Sequence, residues 1–480
     1  MNDRKGFGSN FGFLMAAVGS AVGLGNIWGF PNKMGANGGF PFLILYLALA
    51  LCCGVIIMLG ELALGRKTGH GAVGAYQSIS KRFKWLGWLG IAAAALIFSF
   101  YSALGGYCLR YVVVNFGNLI GAEFGTNGVG GADVFQGLLS QPDVSIAFAL
   151  AFMLITMLVV MCGVGGGIER VCSVGMPALF FILIICIIRS CTLPGAADGL
   201  KYMFVPGWAV ANGIIDGAPG FWRVLTAAGG QMFFSLSLGA GVMITYGSYL
   251  DKKQDLGKST MIIVGMDTVV ALMAGLCVIP GRFALDPNGA LGGPELLFIT
   301  MQNVFDKMGP AGPVFGILFY LLVFFAAISS SISMLEVIVA HFCDKAREKG
   351  KGDRRKLYSA IAVVICAALC ALVCADGMGS NHISPAELLG LAGAKLPGWS
   401  TSWLGLFDSV AEGLLMPLGA LLMCLMISWE LKPDALRQEI LLNGENRPWV
   451  YDFFRLCVKY ITPLCMLMIL YGQISDFFIA

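Results

Sequence analysis

The sequence predicts an all-α polytopic membrane protein, and three observations carry that class. Hydrophobic residues make up 58% of the 480 positions and charged ones only 12%. The mean hydropathy is +0.80. Apolar runs of roughly 20 residues, long enough to cross a bilayer, recur along the whole chain. They lie near 10–32, 40–65, 88–115, 145–163, 168–190, 218–248, 258–282, 308–343, 356–375, 406–430 and 449–475. That is about 11 transmembrane helices in a single transmembrane domain, 1–480.

Composition excludes several functions. The net charge is +3, and no basic run interleaves with aromatics, so nucleic acid is not an expected partner. The 15 cysteines sit mostly inside apolar runs, without metal-ligand spacing, and read as small apolar fillers. The three histidines are scattered at 70, 341 and 382. No Walker, GxSxG or HExxH motif appears, so neither ATP-driven transport nor hydrolysis is expected, and the protein reads as no enzyme. Residues 1–10 are polar and run straight into a full-length apolar stretch, unlike a cleavable leader. With the N-terminus inside, about 21 Lys and Arg fall in inside loops and about 6 outside. The heaviest loop, Lys345 to Lys356, holds seven. An odd span count then puts the C-terminus outside.

The first run, MAAVGSAVGLGNIWGFP over 15–31, is interrupted where a lipid-facing helix would show Leu, Ile and Val. Gly recurs at 19, 23, 25 and 29, with Ser20 and Asn26 among them. Gly costs about 1 kcal/mol against Ala inside a helix. Irregular backbone survives at membrane depth only against protein or a cavity. A helix broken at mid-depth follows, although Gly repeats also serve tight packing. The second run ends in GELALGR, where Glu61 reads as a buried partner for another span rather than a snorkelling pair with Arg66 or Lys67. The third carries Phe100, Tyr101 and Ser102 at mid-span, and a buried tyrosine hydroxyl needs a partner. Before the fifth run the chain reads CGVGGGIERVCSVGMP. Nine residues separate Gly167 from Pro177, which weakens the inner half of that helix: it reads either as a simple loop–helix junction or as a segment that unwinds to let water reach a site from the cytoplasm. The sixth run repeats the anomaly of the first, with Gly229, Gly230, Ser235, Ser237, Gly239 and Gly241. Two broken helices five spans apart are the pattern of an inverted repeat around a mid-membrane site. The seventh holds Asp267 among apolar neighbours, at a cost of at least about 2.5 kcal/mol, so a proton or a cation should neutralise it. The eighth offers Ser329, Ser330 and Ser331; such hydroxyls suit a hard cation, although serines often bond back to their own helix.

Together these motifs resemble the neurotransmitter:sodium symporters, in their bacterial amino-acid branch with the LeuT-type fold. The matching segments are GSAVGLGNIWGFP (19–31), NGGFPF (37–42), GELALGR (60–66), SFYS (99–102), GIER (167–170), GQMFFSLSLG (230–239), ITYGSY (244–249) and FFAAISSSIS (324–333). This family is itself the standard example of inverted repeats with broken helices. The resemblance implies a LeuT-type 5+5 inverted repeat with broken helices 1 and 6. Residues 10–190 form the first repeat, 218–430 the second, and 449–475 a peripheral helix 11. Spans 1, 2, 6 and 7 would rock against 3, 4, 8 and 9.

The resemblance also implies two Na⁺ sites. One uses carbonyls of Gly19, Val22 and Ala326 with the hydroxyls of Ser329 and Ser330. The other uses the Ala21 carbonyl, Asn26, Ser235 and Asp267, completed by the substrate carboxylate. That shared contact couples ion and substrate binding. The substrate carboxylate would meet amides near Gly23 and Gly25 and the Tyr101 hydroxyl. The amine would meet carbonyls of Ala21, Phe234 and Ser237. The side chain would sit among Ile97, Tyr101, Phe234, Ser237, Ala240, Ser330 and Met334. Amine-transporting relatives carry Asp where this chain has Gly23, so a zwitterionic amino acid is expected. Ala at 240 opens volume and Met334 is compliant, which favours hydrophobic or aromatic L-amino acids. Chloride-dependent relatives carry Asn at the place of Asp267, so no chloride requirement is expected.

Two departures concern the gates. The family's outer ion pair falls here on Gly29 and Ala411, leaving Phe234 and Tyr101 as a lid, with Lys33, Asp408 or Glu412 as substitutes. At the inner gate Arg4 and Asp344 match the expected pair, Ser248 and Tyr249 match its supports, and Phe7 replaces a Trp. The expectation is a Na⁺-coupled importer of hydrophobic amino acids in a bacterial inner membrane, monomeric or weakly dimeric. The alternatives are a channel, a non-transporting sensor, or a symporter of another small zwitterion.

Overall fold

The computed structural model describes residues 6–126, 128–290, 293–352, 354–390, 398–441 and 448–478. Helices α1 (Asn10–Ala21) and α2 (Gly25–Ala36) meet at a bend of 44°. Then come α3 (Phe40–Thr68), α4 (Lys81–Ile120), α5 (Pro142–Met161) and α6 (Val164–Cys191). After shorter helices follow α7 (Phe221–Leu236) and α8 (Val242–Gly247). The chain continues with α9 (Leu256–Leu285), α10 (Gly309–Glu348), α11 (Arg355–Gly379), α12 (Trp403–Leu431) and α13 (Pro448–Phe477). Among the described residues nine of these are long and apolar enough to cross a membrane, and the bent α1–α2 pair makes a tenth span. The expected count of about 11 is reached by reading α7 and α8 as one further interrupted span.

α4 and α10, each within a 40-residue helical stretch, pack along one another and carry α5 and α11. α1 lies against α6, α9 and α10, and α7 against α3 and α13. Burial sorts centre from periphery. The apolar window of α4 is 78% buried, that of α6 only 28% and that of α13 39%. Beyond Arg170 the exposed side chains of α6, among them Val174, Phe181, Ile184 and Ile188, are apolar, as a lipid-facing surface requires.

Chain polarity sorts the loops onto two faces. On one, Arg66 and Lys252 meet Glu439, Gln254 bonds Asn10, and Gly71 bonds Asp344. This is the face of the Lys345–Lys356 loop, and is called the basic face below. On the opposite face Lys33 pairs with Glu412, and Trp399 stacks on Phe477.

Close approach of α3 and α8 depends on glycine. A Cβ on Gly65 would lie 2.0 Å from the Ile244 carbonyl oxygen, and one on Gly247 2.5 Å from that of Leu62. Gly65→Ala should therefore destabilise the protein by about 1–3 kcal/mol of overpacking, despite the better helix propensity of Ala. Thermal unfolding in detergent measures this; an unchanged midpoint would show that the two backbones are not in register.

Candidate functional site

The two interrupted helices break at the same depth. α1 ends where Val22 turns to φ −75°, ψ 98°, and α2 begins with a wide helical turn over Gly25–Gly29. α7 ends at Ser237, whose φ of 53° is left-handed, and Gly239 (φ 80°) and Gly241 (φ 74°) lead into α8. A non-glycine residue at positive φ is unfavourable, and the Ser237 hydroxyl offsets this by donating to the Ser20 carbonyl at 3.0 Å. Two helix C-termini and two N-termini thus face one another inside the protein. Their partial charges suit a cation and a carboxylate respectively. Glu61 supports the second break from α3, accepting from the Gly239 amide at 2.7 Å. Its neighbour Arg66 is engaged with Glu439, so Glu61 serves another span, as its depth predicted.

Asp267 is fully buried in α9 beside these breaks. Ser235 Oγ lies 3.0 Å from both its carboxylate oxygens. The Asn26 amide donates to Oδ1 at 2.7 Å, and the Tyr46 hydroxyl to Oδ2 at 3.2 Å. All three partners are neutral and buried. Among the described residues no Lys, Arg or His pairs with Asp267. Asn26 Oδ1 meanwhile accepts the Gly23 amide at 3.0 Å. A cation coordinated by both Asn26 and Asp267 requires that side-chain amide to turn over, exchanging its NH₂ for its oxygen. Ala21, the remaining member of the predicted set, is buried at the end of α1.

The second predicted set also converges. Ser329 Oγ lies 3.0 Å from the Ala326 carbonyl and 3.4 Å from that of Val22. Ser330 Oγ lies 3.1 Å from the Ser20 carbonyl and 3.4 Å from that of Gly19. These groups are all oxygen, with no nitrogen or sulfur donor among them, the chemistry of a hard cation site.

Between the two sets the Leu24 amide donates to Tyr101 Oη at 2.6 Å, with the Ser330 hydroxyl beside it. A Cβ on Gly23 would lie 2.2 Å from Ser330 Oγ and 2.4 Å from Tyr101 Oη. A side chain at this position would have to displace Ser330 or Tyr101. Gly25 is less confined: its Cβ would lie 3.1 Å from Phe234 Cδ1 and from Ser235 Cα. Phe234 packs edge-on to Tyr101 and stacks with Phe100. Ile97, Ser237, Ala240 and Met334 are buried. Ala240 packs its backbone against Gly90, about two turns along α4 from Ile97.

On the basic face Phe7 meets Phe13, Tyr246 and Tyr249 edge-on. Asp344 accepts the Gly71 amide at 3.1 Å, and Ser248 bonds the Thr245 carbonyl. Arg4 lies outside the described residues. Tyr249 donates to Glu336 Oε1 at 2.6 Å, and Arg355 binds both oxygens of the same carboxylate. The entry to α6 is wound: a wide turn over Val164–Glu169 leads into a helix that contains Pro177, and a Cβ on Gly167 would strike the Val159 carbonyl. On the opposite face Lys33 pairs with Glu412. Gly29 is covered by Gln231, whose Oε1 lies 2.9 Å from the position of a Cβ there and whose amide donates to the Gly25 carbonyl.

Sequence reasoning missed Tyr46, Gln231, Glu336 and Arg355. Glu336 had a readable signal, since a carboxylate within SISMLEVIVA is as anomalous as Asp267. Tyr46 had none, because tyrosine is ordinary in an apolar run.

Comparison with known proteins identifies the family. The model of the Sodium:neurotransmitter symporter family matches residues 4–127 and 132–478. The chain is 36% identical over 477 residues to YhdH, an uncharacterized sodium-dependent transporter of Bacillus subtilis, covering 97% of both. It is 29% identical to an uncharacterized sodium-dependent transporter of Methanocaldococcus jannaschii, covering 99% of this chain and 91% of that protein. The crystal structure of MhsT in complex with L-phenylalanine superposes with a TM-score of 0.83 at 33% identity, over 98% of this chain and 100% of the other. The chain belongs to the sodium:neurotransmitter symporter family, a family of membrane transporters and not of enzymes.

Proposed function

We propose that this protein is a Na⁺-coupled symporter that imports hydrophobic or aromatic L-amino acids by alternating access, without chloride. The observation that carries the reading is Asp267, a buried carboxylate held by neutral donors alone at the junction of two broken helices. A cation is the natural complement of such a group. Asp267, Ser235, Asn26 and the Ala21 carbonyl would hold one Na⁺, and Gly19, Val22, Ala326, Ser329 and Ser330 the other. Two Na⁺ contribute +2 and Asp267 contributes −1, so a zwitterion travels without need of an anion. The substrate class is supported by the lack of space at Gly23, the apolar lining of Ile97, Phe234 and Met334, and the phenylalanine bound by MhsT.

In this reading α1–α6 and α7–α12 are the two halves of an inverted repeat and α13 is peripheral. The basic face is cytoplasmic, which puts Gly8 inside and Phe477 outside. The Phe7 cluster, Asp344, Ser248 and Tyr249 close the inner side. Lys33 and Glu412 close the outer side. Lys33 lies one turn beyond Gly29 on α2, and Glu412 next to Ala411 on α12, so the pair replaces the two missing gate residues by a short displacement outward. Asp408, one turn before Glu412, lines the same cavity of about 280 Å³.

Proteoliposomes with an inward Na⁺ gradient should accumulate labelled leucine, phenylalanine or tryptophan in gluconate as well as in chloride, and not with K⁺. Asp267→Asn should be inactive or newly dependent on chloride. Preference for glycine or alanine would overturn the substrate class, and equal chloride dependence of both forms the role of Asp267. For the outer gate, Lys33→Glu and Glu412→Lys should each lower uptake about tenfold, because each sets like charges against one another across a partly buried pair. The double exchange should recover much of it. A double variant as poor as the singles would remove this pair from the gate.

A further inference from the structure

Where α3, α9 and α13 meet near the basic face, their outer side carries a slot of about 460 Å³. Its α3 wall runs from Leu51 to Leu59, just over two turns and about 12 Å of helix. One leaflet of a bilayer offers about 15 Å of hydrocarbon, so the slot has the length of an acyl-chain segment within a single leaflet. An α-helix of that length, about 10 Å across, fills roughly twice the volume, so a partner's helix does not enter. The walls are fixed from behind. Ile56 and Phe454 are buried, and the Tyr451 hydroxyl ties the start of α13 to Asp434 at 2.7 Å. At the rim Leu51, Met261, Trp449 and Phe453 are exposed.

Three polar side chains interrupt this apolar lining. Lys258 lies at the mouth, on the first turn of α9. Lys252 and Arg66 nearby are engaged with Glu439, whereas among the described residues neither Lys258 nor Lys253 pairs with a carboxylate. Asp255, also at the mouth, serves as the N-cap of α9 and accepts the Lys258 amide at 3.0 Å. Thr260 lies two residues, about 3 Å, further into the helix than Lys258. It is fully buried, and its hydroxyl has no partner among the described residues. A buried hydroxyl without a partner is costly, so an oxygen of a bound molecule is the acceptor this wall lacks. An anion at the mouth, an ester oxygen just beneath it and hydrocarbon below is the order of groups in a phospholipid.

We propose that this slot binds an anionic phospholipid of the leaflet on the basic face. One acyl chain lies along α3 between Leu51 and Leu59, the phosphate meets the Lys258 ammonium, and a glycerol ester carbonyl accepts the Thr260 hydroxyl. Trp449 and Phe453 cover the chain from the side, as aromatic residues do at a membrane interface. The lipid joins α13 to α3 and α9, and it buttresses α9 two turns before Asp267. The inference rests on the membrane fold and is independent of the Na⁺ reading.

The full-length protein, purified in detergent, is incubated with dioleoyl phosphatidylglycerol or dioleoyl phosphatidylcholine, and bound lipid is counted by native mass spectrometry. The wild type should retain one phosphatidylglycerol about fivefold more tightly than phosphatidylcholine, the preference that one lysine at an anionic headgroup supplies. Lys258→Gln should retain the two lipids equally. Thr260→Val should bind both less tightly and keep the preference between them. Gly257 lines the slot, and a Cβ there would meet nothing closer than Asp255 Oδ1 at 3.5 Å and Val450 Cγ1 at 3.8 Å. Gly257→Phe therefore puts a ring into the slot and should abolish retention of both lipids. Thermal unfolding of each variant checks its fold, and Lys258→Gln, a change at an exposed side chain, decides the headgroup assignment without disturbing the walls. Equal retention of the two lipids by the wild type, an unchanged preference in Lys258→Gln, or an unchanged lipid count in Gly257→Phe would overturn the site. So would a wild-type dimer that Gly257→Phe dissociates, which would assign the slot to a second copy of this chain.

Discussion

The carboxylate of Asp267 has left water, and among the described residues nothing charged is paired with it. Burying an ionised carboxylate without an opposite charge is among the most costly arrangements a protein can hold. Three neutral donors from α2, α3 and α7 meet it, and each comes from an element that must be placed with care. Asn26 stands in the first wide turn after a break, Ser235 just before another, and Tyr46 on the helix that bridges them. The breaks and the glycines that permit them bring these three side chains to the carboxylate.

The same constraint orders the rest of the molecule. Irregular backbone at membrane depth is stable only if enclosed. The broken helices are therefore enclosed by α3, α9 and α10, with α6 against α1, while the lipid-facing α11 lies outside. Access must then come through the ends. At each end a small set of contacts ties one of the broken helices to a neighbouring element: Lys33 to Glu412 on one face, the Phe7 cluster and Glu169 on the other. Exposed ion pairs contribute little, but pairs shielded by neighbours, as Glu412 is, lose more when one partner is removed.

Much of this was legible in the sequence. Apolar runs and their spacing located the spans, because the bilayer fixes helix length. Glycines at 19, 23, 25 and 239 marked the breaks, because glycine inside a membrane helix needs a reason. Asp267 and Glu61 stood out as charges in apolar surroundings, and both proved buried beside those breaks. Other features lacked a local signal. Tyr46 and Gln231 are ordinary residues whose importance comes from what faces them across the fold. The Lys33–Glu412 pair joins residues 379 positions apart, and only folding decides which of Asp408 and Glu412 faces Lys33. Glu169 was readable as part of GIER but not as a partner of Gly8 and Ser9, since nothing local aims a side chain at a helix 160 residues away. The wound entry to α6 likewise could not be read from Gly167 and Pro177, which are compatible with either state.

The most direct test of the central claim is the melting temperature of the purified protein titrated with Na⁺ in gluconate, against K⁺, for the wild type and Asp267→Asn. A ligand that binds only the folded state stabilises it by about 2.7 kcal/mol at a hundredfold excess over its dissociation constant. The account predicts that Na⁺ and not K⁺ raises the wild-type midpoint, and that Asp267→Asn starts from a higher midpoint without Na⁺ but gains less from it. A wild-type midpoint equally indifferent to both ions, or an Asp267→Asn response to Na⁺ as large as that of the wild type, would contradict it.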